Sequence, residues 1–92
     1  MITSQIEKMV ELTEEFGVVV RFRTRSGEYG EIELSTDVVK LYRLPGRGYI
    51  IVAFEDFKVF YGETMMSVIR AYLCWLFDEE VEIISWGWKS NA

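Results

Sequence analysis

Residues 18–34 read VVVRFRTRSGEYGEIEL, and they decide the fold class. Val18, Val20 and Phe22 alternate with Val19, Arg21, Arg23 and Arg25, the period of two that sends apolar side chains to one face of a strand and charges to the other. Ser26-Gly27-Glu28 interrupts the pattern with turn residues, after which Ile32 and Leu34 alternate with Glu31 and Glu33. The reading is a β-hairpin with a three-residue loop. Charge suggests its register. With Arg25 opposite Tyr29, Arg23 faces Glu31, Arg21 faces Glu33, Phe22 faces Ile32 and Val20 faces Leu34, so every pair is chemically matched. A shift by one residue would break all of them.

On the N-terminal side, Ile6, Met9, Val10, Leu12 and Phe16 recur at helical spacing, while Glu7, Lys8, Glu11, Glu14 and Glu15 fall opposite. This predicts an amphipathic helix over 3–15, opened by the capping-box spacing of Ser4 and Glu7 and closed by Gly17. On the C-terminal side, 38–44 reads as a strand, with a short helix over 35–44 as the alternative, and Pro45-Gly46-Arg47-Gly48 reads as a turn. Residues 49–54 are apolar on both faces, as in an interior strand. Glu55-Asp56 makes a tight turn into a further strand over 57–61.

Thr64 then caps a helix over 65–77 whose apolar residues, from Met65 to Phe77, cover an arc of roughly 200°, about twice what a surface helix needs. That width asks for a second packing surface besides one sheet. Residues 81–88 close the chain as a strand with Ile84, Trp86 and Trp88 on one face and Val81, Ile83 and Gly87 on the other. The expected fold is α+β and a single domain over 1–92: a mainly antiparallel β-meander of about five to six strands, an N-terminal amphipathic helix, and a second, strongly apolar helix before the last strand.

Composition narrows the chemistry. Half of the 92 residues are hydrophobic and 27% are charged, which excludes disorder, and no run of about 18 apolar residues crosses a bilayer. With no histidine, triads built on that residue are excluded. One cysteine, Cys74, supplies neither a soft-metal ligand set nor an intramolecular disulfide, so the expectation is a cytoplasmic protein with no metal and no cofactor. The opening residues carry no basic stretch followed by an apolar one and do not read as a secretory signal. Net charge is −5, with both ends acidic and residues 17–53 mildly basic, which argues against direct nucleic-acid binding.

Individual constellations favour structure over chemistry. Arg21, Arg23 and Arg25 form a charge-paired sheet face rather than a phosphate grip, and Asp78-Glu79-Glu80 with Glu82 lacks the ladder of a calcium loop. Cys74 has no nearby base to activate it. The leading expectation is a non-enzymatic, acidic protein-binding module that covers a basic, nucleic-acid-reading surface of its target, as small phage-type inhibitors do. Glu7, Glu11, Glu14, Glu15, Asp78, Glu79 and Glu80 would steer the partner, and Trp86 and Trp88 would anchor it. The alternative is a homodimeric assembly protein joined through the 65–77 helix or a strand edge. A small-ligand carrier or carboxylate hydrolase ranks last.

Overall fold

The computed structural model describes residues 10–12 and 17–89. The hairpin forms from β2 (Val18–Thr24) and β3 (Tyr29–Leu34), but two residues away from the register that charge suggested: Arg21 faces Glu31, Arg23 faces Tyr29 and Val20 faces Ile32. A slip of two keeps every side chain on its face, so facial patterning cannot detect it. Local chemistry decides instead. Thr24 closes the loop, its amide donating to the Glu28 carbonyl at 2.8 Å and its hydroxyl accepting the Glu28 amide at 3.1 Å. Gly30 then falls opposite Phe22, where a Cβ would lie 2.7 Å from the ring's Cζ, so only glycine leaves room for that ring.

The remaining strands are β1 (Val10–Glu11), β4 (Val39–Leu44), β5 (Gly48–Ala53), β6 (Lys58–Gly62) and β7 (Val81–Trp88). They do not form one meander. One antiparallel sheet has the order β3-β2-β7; the other is β4-β5-β6 with the two-residue β1 added beside β4. Among the described residues, six strands of five residues or more thus divide equally between two sheets. Residues 39–44 are strand, not helix.

Two further expectations are corrected. Val10 and Glu11 pair with Arg43 and Tyr42, and the Leu12 amide donates to the Leu41 carbonyl at 2.7 Å, so a continuous helix over 3–15 does not form. Cross-strand bonding overrides the helical spacing there; the rest of that segment lies outside the described residues. In β7, a bulge between the partners of Arg21 and Phe22 leaves Ile84 as the extra residue. Beyond it the faces exchange: Val81, Ile83, Trp86 and Trp88 share the side of Val18 and Val20, and Ile84 turns to solvent.

Among the described residues there is one α-helix, α1 (Met65–Phe77). Thr64 and Ser67 cap it reciprocally: the Ser67 amide donates to the Thr64 hydroxyl and the Thr64 amide to the Ser67 hydroxyl, each at 3.0 Å. The helix packs on both sheets. Phe77 stacks on Phe22 of β2 at 4.9 Å between centroids, while Tyr72 and Trp75 meet Phe60 of β6 at 5.7 and 5.6 Å. Both sheets and the helix contribute to one buried cluster that includes Val20, Leu34, Leu41, Ile51, Ile69 and Leu73. Much of the wide apolar arc is therefore used inside the chain, with Met66 exposed and Trp75, Leu76 and Phe77 half-buried.

Candidate interaction surface

Among the described residues, strand β6 is an edge of its sheet. The chain reaches it through a single 3-10 turn, Glu55–Phe57, in which Asp56 (φ 60°) and Phe57 (φ 50°) both take the left-handed conformation. Asp tolerates that region; a phenylalanine there is strained, because its Cβ crowds the carbonyl. The result is a Phe57 side chain 81% exposed. Val59 (61%) and Tyr61 (54%) continue the exposed side of the strand, while Phe60 turns inward to Tyr72 and Trp75.

The register extends this strip across the sheet. Val59 pairs with Val52 and Tyr61 with Ile50, and Tyr42 lies beyond Ile50 on β4, so half-buried apolar side chains back the exposed ones. The Tyr61 hydroxyl donates to the Arg47 carbonyl and ties the strip to the β4–β5 turn. Exposed carboxylates bracket it, Glu55 and Asp56 before and Glu63 after. Lys58 on the strand and Arg47 at the β4–β5 turn stand among these acids. An apolar strip with mixed charge at its margin, along a strand edge unpaired among the described residues, is suited to an extended apolar segment, and the net charge of −5 favours a basic one.

The residues singled out from the sequence lie elsewhere. Glu7, Glu14 and Glu15 fall outside the described residues. Glu11 sits on β1, paired with Lys40 at 3.2 Å. Asp78 is the left-handed C-cap of α1, its amide donating to the Trp75 carbonyl at 3.3 Å. Glu79 accepts from both the amide and the hydroxyl of Ser26 at 3.2 Å. The Glu80 carbonyl takes the Arg25 amide at 2.9 Å, and Glu82 pairs with Arg23 at 3.2 Å. The acidic run thus fastens the helix-to-strand junction to the β2–β3 loop.

Trp86 is half-buried against the core and Trp88 is exposed, their rings edge-on at 5.9 Å. At roughly 3.3 Å per residue, Trp88 stands about 23 Å along β7 from Val81, so the acids and the tryptophans do not make one surface. Glu79→Ala is expected to cost about 1 kcal/mol, the net scale of a typical hydrogen bond, since solvent reaches both Ser26 contacts. A lowered urea midpoint with faster hydrogen exchange at the Ser26 amide checks it.

Several hollows mark the surface of the described residues. One, about 930 Å³, lies at the β4–β5 turn between Arg43, Arg47, Tyr49 and Glu63. A second, about 620 Å³, lies beside the junction between Arg25, Arg70, Glu80 and Glu82. A third, about 350 Å³, lies between the two sheets and is lined by Leu34, Phe54, Glu55 and Tyr72. Burial, and then the nearby Glu55 carboxylate, raise the Tyr72 pKa above its ordinary 10.0. The folded state therefore holds the phenol proton longer than the unfolded state does. That contribution is complete below pH 10 and is lost as pH rises through the raised value. Tyr72→Phe should accordingly lose less stability than the native chain between about pH 9 and pH 12, as urea midpoints would show.

Among the described residues, no group of three or more acidic or cysteine side chains is placed to hold a metal ion, and Cys74 is a half-buried free thiol. Sequence reasoning missed the β6 strip. Its one available signal was that Phe57, Val59 and Tyr61 alternate with Phe60 beside a strand already apolar on both faces. In comparisons with known proteins, no family model matches the chain, and no curated protein or solved structure does.

Proposed function

We propose that this chain is a non-enzymatic protein-binding module that takes an extended, apolar and basic segment of a partner protein along the edge of β6. One observation carries the reading: two consecutive non-glycine residues in the left-handed region hold Phe57 in solvent at the head of an unpaired edge strand. Strain kept without a packing contact in return is a mark of a functional position. The free N–H and C=O groups of β6 supply main-chain bonds to an added strand, and Phe57, Val59 and Tyr61 supply the side-chain anchors. Glu55, Asp56 and Glu63 draw in a cationic partner, in keeping with the net charge of −5. A basic surface such as that of a nucleic-acid-binding protein fits this chemistry.

The test is affinity capture from the native lysate with the intact chain and with Phe57→Ser and Val59→Lys. Both positions are exposed, so both variants should fold. The expected result is a stoichiometric partner that leaves as salt rises and is held about tenfold to a hundredfold more weakly by either variant, the scale of a hot-spot loss. Equal retention by all three proteins would rule out the β6 edge. Recovery of the chain's own copies alone, lost in Val59→Lys, would favour the homodimer instead.

A further inference from the structure

The hollow between the two sheets is built unlike the others. Its most buried lining is Leu34, Ala53 and Tyr72, with Ile32 and Leu76 half-buried beside them. Its exposed margin carries Asp37 and Val38 from the β3–β4 turn and Phe54 and Glu55 from the end of β5. The Phe54 amide donates to the Val38 carbonyl at 3.0 Å, which fixes the two sides of that margin to each other.

Tyr72 is only 5% exposed, yet its hydroxyl has no hydrogen-bond partner among the described residues and is not sealed from solvent. Water satisfies the phenol at that opening, and a ligand's donor could take its place. Of the three carboxylates on the cleft, Glu33 is engaged by Lys89 at 2.8 Å, whereas Asp37 and Glu55 make no ion pair among the described residues. The cleft therefore joins an apolar interior to one hydroxyl and two negative charges that the described residues leave unused.

We propose that this cleft seats a lysine side chain of the partner polypeptide, its aliphatic stem against Ile32, Leu34 and Leu76 and its ammonium shared by the Tyr72 hydroxyl, Asp37 and Glu55. Lysine fits better than arginine. Three separate single acceptors match the three donors of a compact ammonium, whereas the planar guanidinium fork prefers a bidentate carboxylate. The long stem would cover apolar surface while the head stays at the polar margin. Glu55 also opens the turn that presents Phe57, so the pocket is continuous with the β6 strip. The assignment of the lysine to a protein partner rests on the proposed interaction reading; the pocket chemistry does not.

The full chain is titrated with Nα-acetyl-lysine N-methylamide and, in parallel, with the norleucine analogue, which has an uncharged aliphatic side chain in place of the lysine ammonium. Amide resonances are followed by NMR. The lysine probe should give saturable shifts confined to residues 32–38, 53–55 and 72–76, and should bind about fivefold or more tightly than the norleucine probe. Asp37→Asn combined with Glu55→Gln, both at exposed positions, should reduce it to the norleucine level. Shifts that grow linearly without saturation, equal binding of the two probes, or an unaffected double variant would each overturn the pocket. Partner capture that depends on Phe57 with no lysine-probe binding sinks the pocket alone. Probe binding with capture indifferent to Phe57 sinks the β6 reading alone.

Discussion

Replacing Gly62 with alanine is expected to remove about 2–4 kcal/mol of stability, combining the usual cost of overpacking with partial loss of a helix cap. Gly62 ends β6, faces Tyr49 of β5 and lies two residues before the Thr64 cap. A Cβ there would fall 2.4 Å from the Val68 amide nitrogen, 2.7 Å from its Cα and 2.5 Å from the Ser67 hydroxyl. The serine hydroxyl could rotate away, but the backbone of Val68 cannot. To admit one methyl group, the first turn of α1 must lift from the sheet. That movement stretches the reciprocal Thr64–Ser67 bonds and withdraws Met65, Val68 and Ile69 from the core together. Against a typical total of about 5–14 kcal/mol for a domain this size, such a loss is a large fraction. Gly87→Ala is the control, since nothing lies within 4 Å of a Cβ at that position. Urea denaturation of the three proteins checks the expectation, and a Gly62→Ala loss no greater than the control's would mean that α1 is not seated on β6.

What the sequence reveals and what it conceals follow from the range of the interactions involved. The strand character of 18–34 and the Thr64 start of α1 are local, resting on alternation over a few residues and on one capping side chain. The hairpin register is also local, but a slip of two keeps every side chain on its face, and the chain takes it although the facing Arg–Glu pairs fall from two to one, Arg21 with Glu31. Thr24 and Gly30 carry the decisive information, one as a bond to Glu28 and the other as a missing methyl under Phe22.

The division into two sheets is different in kind. It depends on β7 returning to β2 rather than to its neighbour β6, a pairing across some sixty residues that no local pattern encodes. The bulge at Ile84 belongs to the same pairing and reverses the faces of Trp86 and Trp88. Val10 and Glu11 show the opposite effect, a helical apolar spacing overruled by the pairing partners Arg43 and Tyr42. The candidate surface was hidden for a similar reason. Glu79 and Glu80 stand out in the sequence as free acids, but the Glu79 carboxylate takes Ser26 and the Glu80 carbonyl takes the Arg25 amide, both more than fifty residues earlier. Phe57 attracts no notice there, because residue type does not forecast a phenylalanine with positive φ.

Leu73→Ala is expected to cost about 3–5 kcal/mol, in the upper range for deleting a fully buried leucine side chain. The reason lies in how one helix serves two sheets. At helical spacing Leu73 stands between Ile69 and Phe77, flanked by Tyr72 and Leu76, and it is fully buried. Phe77 holds the helix to β2, and Tyr72 and Trp75 hold it to β6, so a void at Leu73 opens between contacts that diverge toward different sheets. Moving the helix to fill the void from one side would pull it from the other, and the cavity cannot collapse. Leu73→Met, which nearly conserves volume, should cost less than about 1.5 kcal/mol. Met66→Ala, at a helix position 46% exposed, should cost less still, about 0.5 kcal/mol. If Leu73→Ala proved as mild as Met66→Ala in urea denaturation, the helix would not be bridging the sheets. Its broad apolar arc would then again require a partner outside the chain, and the case for α1 as a dimer face would strengthen.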